Sequence, residues 1–139
     1  MFKKINLQFV LSYLGLFPFL IIFLDNFFFK ILETNIVKDF LIFYSIIIFV
    51  FIGAVNWNLK KNVLPIVVFI GFMPSLASFF IVIMFLYSFE VINYLIILFI
   101  IQLISDNFIY IEKNDRHIFY KLRIPLTVII LICLILIQL

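Results

Sequence analysis

The chain alternates long apolar runs with short polar breaks, at a period that fits helices crossing a bilayer. The run from Ile5 to Leu24 is 20 residues long, and at about 1.5 Å per residue that covers a hydrocarbon core of about 30 Å. A second run, Phe40 to Trp57, stops at Asn58-Leu59-Lys60-Lys61-Asn62. Val63 to Phe89 carries no charge, and Val91 to Ser105 follows the lone Glu90. A turn placed at Tyr87–Glu90 divides that stretch into two spans. The last run, Ile124 to Leu139, has 16 residues and makes a thin span. The pattern predicts an all-α membrane bundle forming one domain, with spans at about 5–24, 40–57, 64–86, 90–109 and 124–139.

Two segments between runs take a more specific reading. Met1-Phe2-Lys3-Lys4 before the first run looks like the start of a secretory signal. An h-region is only about 7–15 residues, however, and no Ala-x-Ala-like site follows, so a retained first span is expected. From Asp25 to Asp39, a helix would put Phe28, Leu32 and Ile36 on one face and Lys30, Glu33, Thr34 and Lys38 on the other. That suits a short helix lying in the interface.

Charge orients the bundle. Five spans place the N-terminus, the Lys60-Lys61 loop and the Glu112–Arg123 loop on one side. These hold Lys3, Lys4, Lys60, Lys61, Lys113, Arg116, Lys121 and Arg123, eight of the ten basic residues. The other side holds Lys30 and Lys38, offset by Asp25, Glu33 and Asp39. The positive-inside rule for short loops then predicts the N-terminus inside and the C-terminus outside.

Composition agrees: 68% hydrophobic and 12% charged, against roughly a quarter charged in soluble domains. The net charge of +3 is spread between apolar runs, which is no nucleic-acid footprint. The bias to Phe, Ile, Leu, Lys and Asn, with 21 Phe and 3 Gly, reads as AT-rich coding, so single Phe residues carry little information. One cysteine, Cys133, forms no intramolecular disulfide or thiolate metal site, and the lone His117 lacks a second ligand candidate. No metal, cofactor or catalytic set is expected. Phosphate-cradling glycine loops, HExxH, GxSxG and paired carboxylates are all missing.

Helices in lipid gain little from apolar contact with one another, so small and polar residues mark where they meet. Gly71 and Ser75 stand four apart on the third span, with Ser78 near that face, and Pro74 predicts a kink. Gly53 and Ala54 on the second span read as a further packing seam. Pro125 suits a first helical turn, where its missing N–H is harmless. The polar residues gather at the predicted cytoplasmic ends. Asn56, Trp57 and Asn58 close the second span, Gln102 and Asp106 lie four apart on the fourth, and Arg123 opens the fifth. A carboxylate near a helix C-terminus opposes the local dipole, so Asp106 calls for a cation, and Arg123 is the natural one. The cluster reads either as a latch between helices or as a small polar pocket for a headgroup or ion. No ionisable side chain falls mid-span on these boundaries, which argues against proton coupling or voltage sensing.

Gly15-Leu16-Phe17-Pro18-Phe19, Tyr44, Gly53-Ala54-Val55-Asn56-Trp57-Asn58, Pro74-Ser75-Leu76, Asp106 and Leu122-Arg123-Ile124-Pro125-Leu126-Thr127 occur in an order that resembles a known family. This is the transmembrane protein 69-like group of small multi-pass proteins, domain of unknown function 3429. The resemblance covers nearly the whole chain. It implies an inner-membrane protein of bacteria or mitochondria, and no biochemical role. In the family the second-span motif reads Gly-Gly-x-His-Trp-Gly, from which Ala54, Asn56 and Asn58 depart. Asparagine keeps hydrogen bonding but does not titrate, so a metal or proton-transfer role of that histidine does not carry over.

The expected function is non-enzymatic: association within the bilayer, with anionic lipid headgroups, with other membrane proteins or with itself. The rival is a small oligomeric transporter or channel. The expected place is the inner membrane of a bacterium.

Overall fold

The computed structural model describes residues 7–57, 59, 62–112 and 115–139, the side chains of Gln8 and Glu112 excepted. Lys3, Lys4, Asn58, Lys60, Lys61, Lys113 and the first residues of the expected first span lie outside this set. All regular structure among the described residues is helical. Five helices are long and apolar enough to cross a membrane: Phe9–Phe29, Thr34–Ala54, Pro65–Leu86, Ile92–Ile111 and Arg116–Leu136, spans one to five here. Span two is central, with spans one, three and four packed on it and span five packed on span four. Its buried residues Val37, Leu41 and Phe49 meet Phe19, Leu95, Phe99, Ile130 and Leu134 in one apolar cluster. Phe28, Ile47, Phe69 and Phe108 are exposed, as befits helices whose outer solvent is hydrocarbon.

Span one is segmented, and proline supplies the reason. Leu7–Leu14 and Phe17–Leu24 are separate helical pieces joined at Gly15-Leu16. Pro18 stands at the start of the second piece, where its missing N–H leaves the Leu14 carbonyl without a helical donor. The Tyr44 hydroxyl donates to the neighbouring Gly15 carbonyl, at 2.7 Å.

The interfacial helix expected over Asp25–Asp39 does not form. Asp25–Phe29 continues span one as a π-turn, and Thr34 begins span two. Asp25 makes this possible because its carboxylate is used inside the turn. It is buried and accepts the backbone N–H groups of Ile31 and Leu32 at 3.2 and 3.0 Å. Lys30 takes the left-handed conformation, φ 50°, and its N–H closes back on the Asp25 carbonyl at 2.6 Å. A charge that looks like a helix stop is in fact the turn's internal cap.

The other connections follow similar logic. Spans three and four are joined through Tyr87-Ser88-Phe89-Glu90. Ser88 is left-handed, φ 62°, and the N–H groups of Ser88 and Phe89 return to the carbonyls of Phe85 and Met84. That is the paired ending of a helix terminated by a left-handed residue. At the same end of the bundle, Gln138 donates to Asn93 at 2.9 Å and ties the finish of span five to the start of span four.

Span five is longer than the sequence suggests, 21 residues from Arg116. The supposed charged loop supplies its first turns: Arg116, His117 and Lys121 are exposed, while Phe119 and Arg123 turn inward and are buried. Arg123 therefore does not open the span. It lies seven residues inside it, about 10 Å at about 1.5 Å per residue. Phe119–Arg123 is a π-turn, and Pro125 follows two residues later. Pro125 has no N–H for the Lys121 carbonyl, and the Tyr13 hydroxyl of span one donates to that carbonyl instead.

Candidate functional site

Four of the residues singled out from sequence meet in one buried network. Asp106 is 1% exposed, Asn56 1%, Gln102 5% and Arg123 5%. Gln102 and Asp106 share a face of span four through their four-residue spacing, and Gln102 Nε2–H donates to Asp106 Oδ1 at 3.0 Å. From span two, Asn56 Nδ2–H donates to the same oxygen at 3.2 Å. From span five, Arg123 Nε lies 3.8 Å from Asp106 Oδ2, an ion pair longer than a hydrogen bond. The carboxylate thus joins three spans.

Arg123 makes its direct hydrogen bonds elsewhere. Its Nε–H and Nη2–H donate to the Tyr110 hydroxyl at 3.2 and 3.1 Å. Nη2 also reaches the Ile52 carbonyl of span two at 3.3 Å. The guanidinium carbon lies 5.7 Å from the Tyr110 ring centroid, within cation–π range. Sequence reasoning missed Tyr110, although a signal was present. Gln102, Asp106 and Tyr110 recur every four residues, so all three lie along one stripe of span four.

The remaining candidates form a different contact. Trp57 does not join the carboxylate: its Nε1–H donates to the Val68 carbonyl of span three at 3.1 Å. There it covers a close approach of backbones. A methyl group built at Gly53 would stand 2.6 Å from the Gly71 carbonyl oxygen and 2.7 Å from Pro74 Cγ. One built at Gly71 would stand 2.6 Å from Trp57 Nε1 and 2.9 Å from the Gly53 carbonyl oxygen. The seam on span three runs through buried Gly71, Pro74 and Ser78, whereas Ser75 is exposed. The spacing of three and then four residues stays on one helical stripe. Pro18 and Pro125 sit beside the span-one break and the π-turn already described, and Asn58 lies outside the described residues.

Beside the network, a cleft of about 600 Å³ opens between spans one, two and five. Its walls include Leu11, Gly15, Ile48, Phe51 and Leu126, and Tyr110, His117 and Arg123 supply polar atoms. Among the described residues no group of three or more His, Cys, Asp or Glu side chains could hold a metal ion.

The model of a family described as "Protein of unknown function (DUF3429)" matches residues 6–139. No curated protein and no solved structure matches the chain.

Proposed function

The chain belongs to the DUF3429 family, and from that premise we propose a non-enzymatic, multi-pass protein of the bacterial inner membrane that acts by association with anionic lipid headgroups. Its N-terminus lies in the cytoplasm and its C-terminus outside, as the eight basic residues on one side favour.

The observation that carries this reading is the division of labour among the charges at the Arg123 end. Asp106 and Arg123 are buried and engaged with each other, Asn56, Gln102 and Tyr110. Polar side chains that hydrogen-bond from one helix to another in lipid contribute to their packing. Arg116, His117 and Lys121 are exposed on the same span, and each Lys or Arg contributes about 1 kcal/mol near an anionic surface. Replacing Lys113, Arg116 and Lys121 with Gln should weaken the preference for phosphatidylglycerol over phosphatidylcholine vesicles in a lipid pulldown. An unchanged preference sinks the reading.

The transporter reading draws on the depth of Arg123, since an ionisable side chain inside a span marks many transport pathways. The cleft, however, ends at Tyr44 and Leu126, about halfway along their spans. Cysteines scanned along the Asn56, Gln102 and Asp106 faces, in a Cys133→Ser background, discriminate between the two. Reaction of mid-membrane positions with a soluble thiol reagent would favour transport, and protection of all of them would end that case.

A further inference from the structure

The ion pair does not account for the cleft beside it. The volume of about 600 Å³ is within the range of ligand pockets, about 300–1,000 Å³. Its shape is set by the helices that bound it. Along span five the lining runs from His117 to Leu126, nine residue steps and so about 14 Å of helix rise. That is near half of a hydrocarbon core of about 30 Å, the depth of one leaflet. Leu11, Ile47 and Val55 line the cleft and are also exposed, so it is open on the lipid side.

The polar groups of the cleft are arranged from the mouth inward. His117 is exposed and lines the outermost turn, with Arg116 and Lys121 exposed on the same helix. Arg123 lies deeper and is 95% buried by its 5% exposure. Its hydrogen bonds use Nε and Nη2, and among the described residues none involves Nη1. A guanidinium that lines an apolar slot favours an oxygen acceptor, and the exposed Arg116 and Lys121 on the same helix favour an anion.

We propose that this cleft seats one acyl chain of an anionic phospholipid from the adjoining leaflet, with its phosphate at His117 and Arg116 and its ester oxygens toward Arg123. The inference rests on the headgroup reading above and deepens it. Surface attraction alone would gather anionic lipid around the protein, whereas the cleft holds a particular molecule by its chain.

A diazirine-bearing side chain at Ile48, inside the cleft, and another at Ile97, exposed on span four and outside it, separate the two ideas. Each full-length protein is reconstituted in vesicles of equal phosphatidylglycerol and phosphatidylcholine, irradiated, and its lipid adducts are weighed. Adducts at Ile48 should favour phosphatidylglycerol several-fold, and those at Ile97 should follow the bulk ratio. Equal ratios at the two positions overturn the proposal, and the headgroup reading then stands or falls on its own pulldown. Ser12 also lines the cleft, and Ser12→Trp, whose larger side chain would occupy it, should abolish the Ile48 preference and leave Ile97 adducts unchanged. Survival of the Ile48 preference in a folded Ser12→Trp protein would equally overturn chain seating. The Ile48–Ile97 comparison remains decisive even if Ser12→Trp does not fold.

Discussion

Asp106 and Arg123 meet as a buried ion pair, Oδ2 to Nε at 3.8 Å, in which the carboxylate is served by amides and the guanidinium by a phenol. Removing Arg123 takes away the buried cation that Asp106 faces, so Arg123→Met should destabilise the bundle by about 3–5 kcal/mol. Adding Asp106→Leu removes the carboxylate as well and should restore most of that loss, because apolar replacement of a whole buried pair is often neutral. Equilibrium unfolding in mixed micelles measures both. A double variant as weak as the single one would show that the pair is not energetically closed.

The Gly53–Gly71 approach predicts steep sensitivity to a single methyl. Gly53→Ala places its Cβ against a backbone oxygen and a proline ring, neither of which can swing away. Overpacking of this kind costs about 1–3 kcal/mol. The same assay should show a clear loss for Gly53→Ala, whereas Ala54→Gly, at an exposed position, should change stability by no more than the intrinsic helix difference of about 1 kcal/mol.

Two hydroxyls hold span one where its own helix is interrupted. Tyr13 serves the Lys121 carbonyl and Tyr44 serves the Gly15 carbonyl. Each hydrogen bond contributes about 0.5–1.5 kcal/mol net. Tyr13→Phe and Tyr44→Phe should each speed amide exchange over residues 7–16, while span four stays protected. Exchange read by mass spectrometry in nanodiscs checks this, and uniform behaviour across all spans would refute the local role.

Ser88 occupies a left-handed position that glycine adopts without strain. Ser88→Gly should raise stability by about 1 kcal/mol, since the left-handed conformation costs an L-residue about 1–2 kcal/mol and the added freedom of glycine when unfolded takes part of it back. Ser88→Ala should not share the gain. A thermal midpoint that moves upward for Gly alone is the expected result.

Much of the site was legible because two simple rules coincide. Five spans send Asn56, Asp106 and Arg123 to one end, and a four-residue spacing puts Gln102 beside Asp106. Tyr110 obeys the same spacing but looks like one more aromatic in a chain crowded with them. The start of span five was hidden because Arg116, His117 and Lys121 read as a loop, although they are the exposed positions of a helix whose buried ones are Phe119 and Arg123. The Asp25 turn was hidden for a related reason: a carboxylate reads as a solvent marker until the backbone groups that bind it are known. Neither π-turn has a signature in residue type, because each depends on hydrogen bonds around a proline or a turn.

The order in which the network's members are synthesised has its own consequence. Ribosomes deliver Asn56 first, then Gln102 and Asp106, and Arg123 last. During insertion the carboxylate therefore reaches the membrane ahead of its cation, which follows on the next span, when an isolated charge would be most costly. The two amides are already present to receive it. Loss of Asn56 or Gln102, which donate to that carboxylate, should therefore show first as poor insertion yield and only later as instability of molecules that have matured.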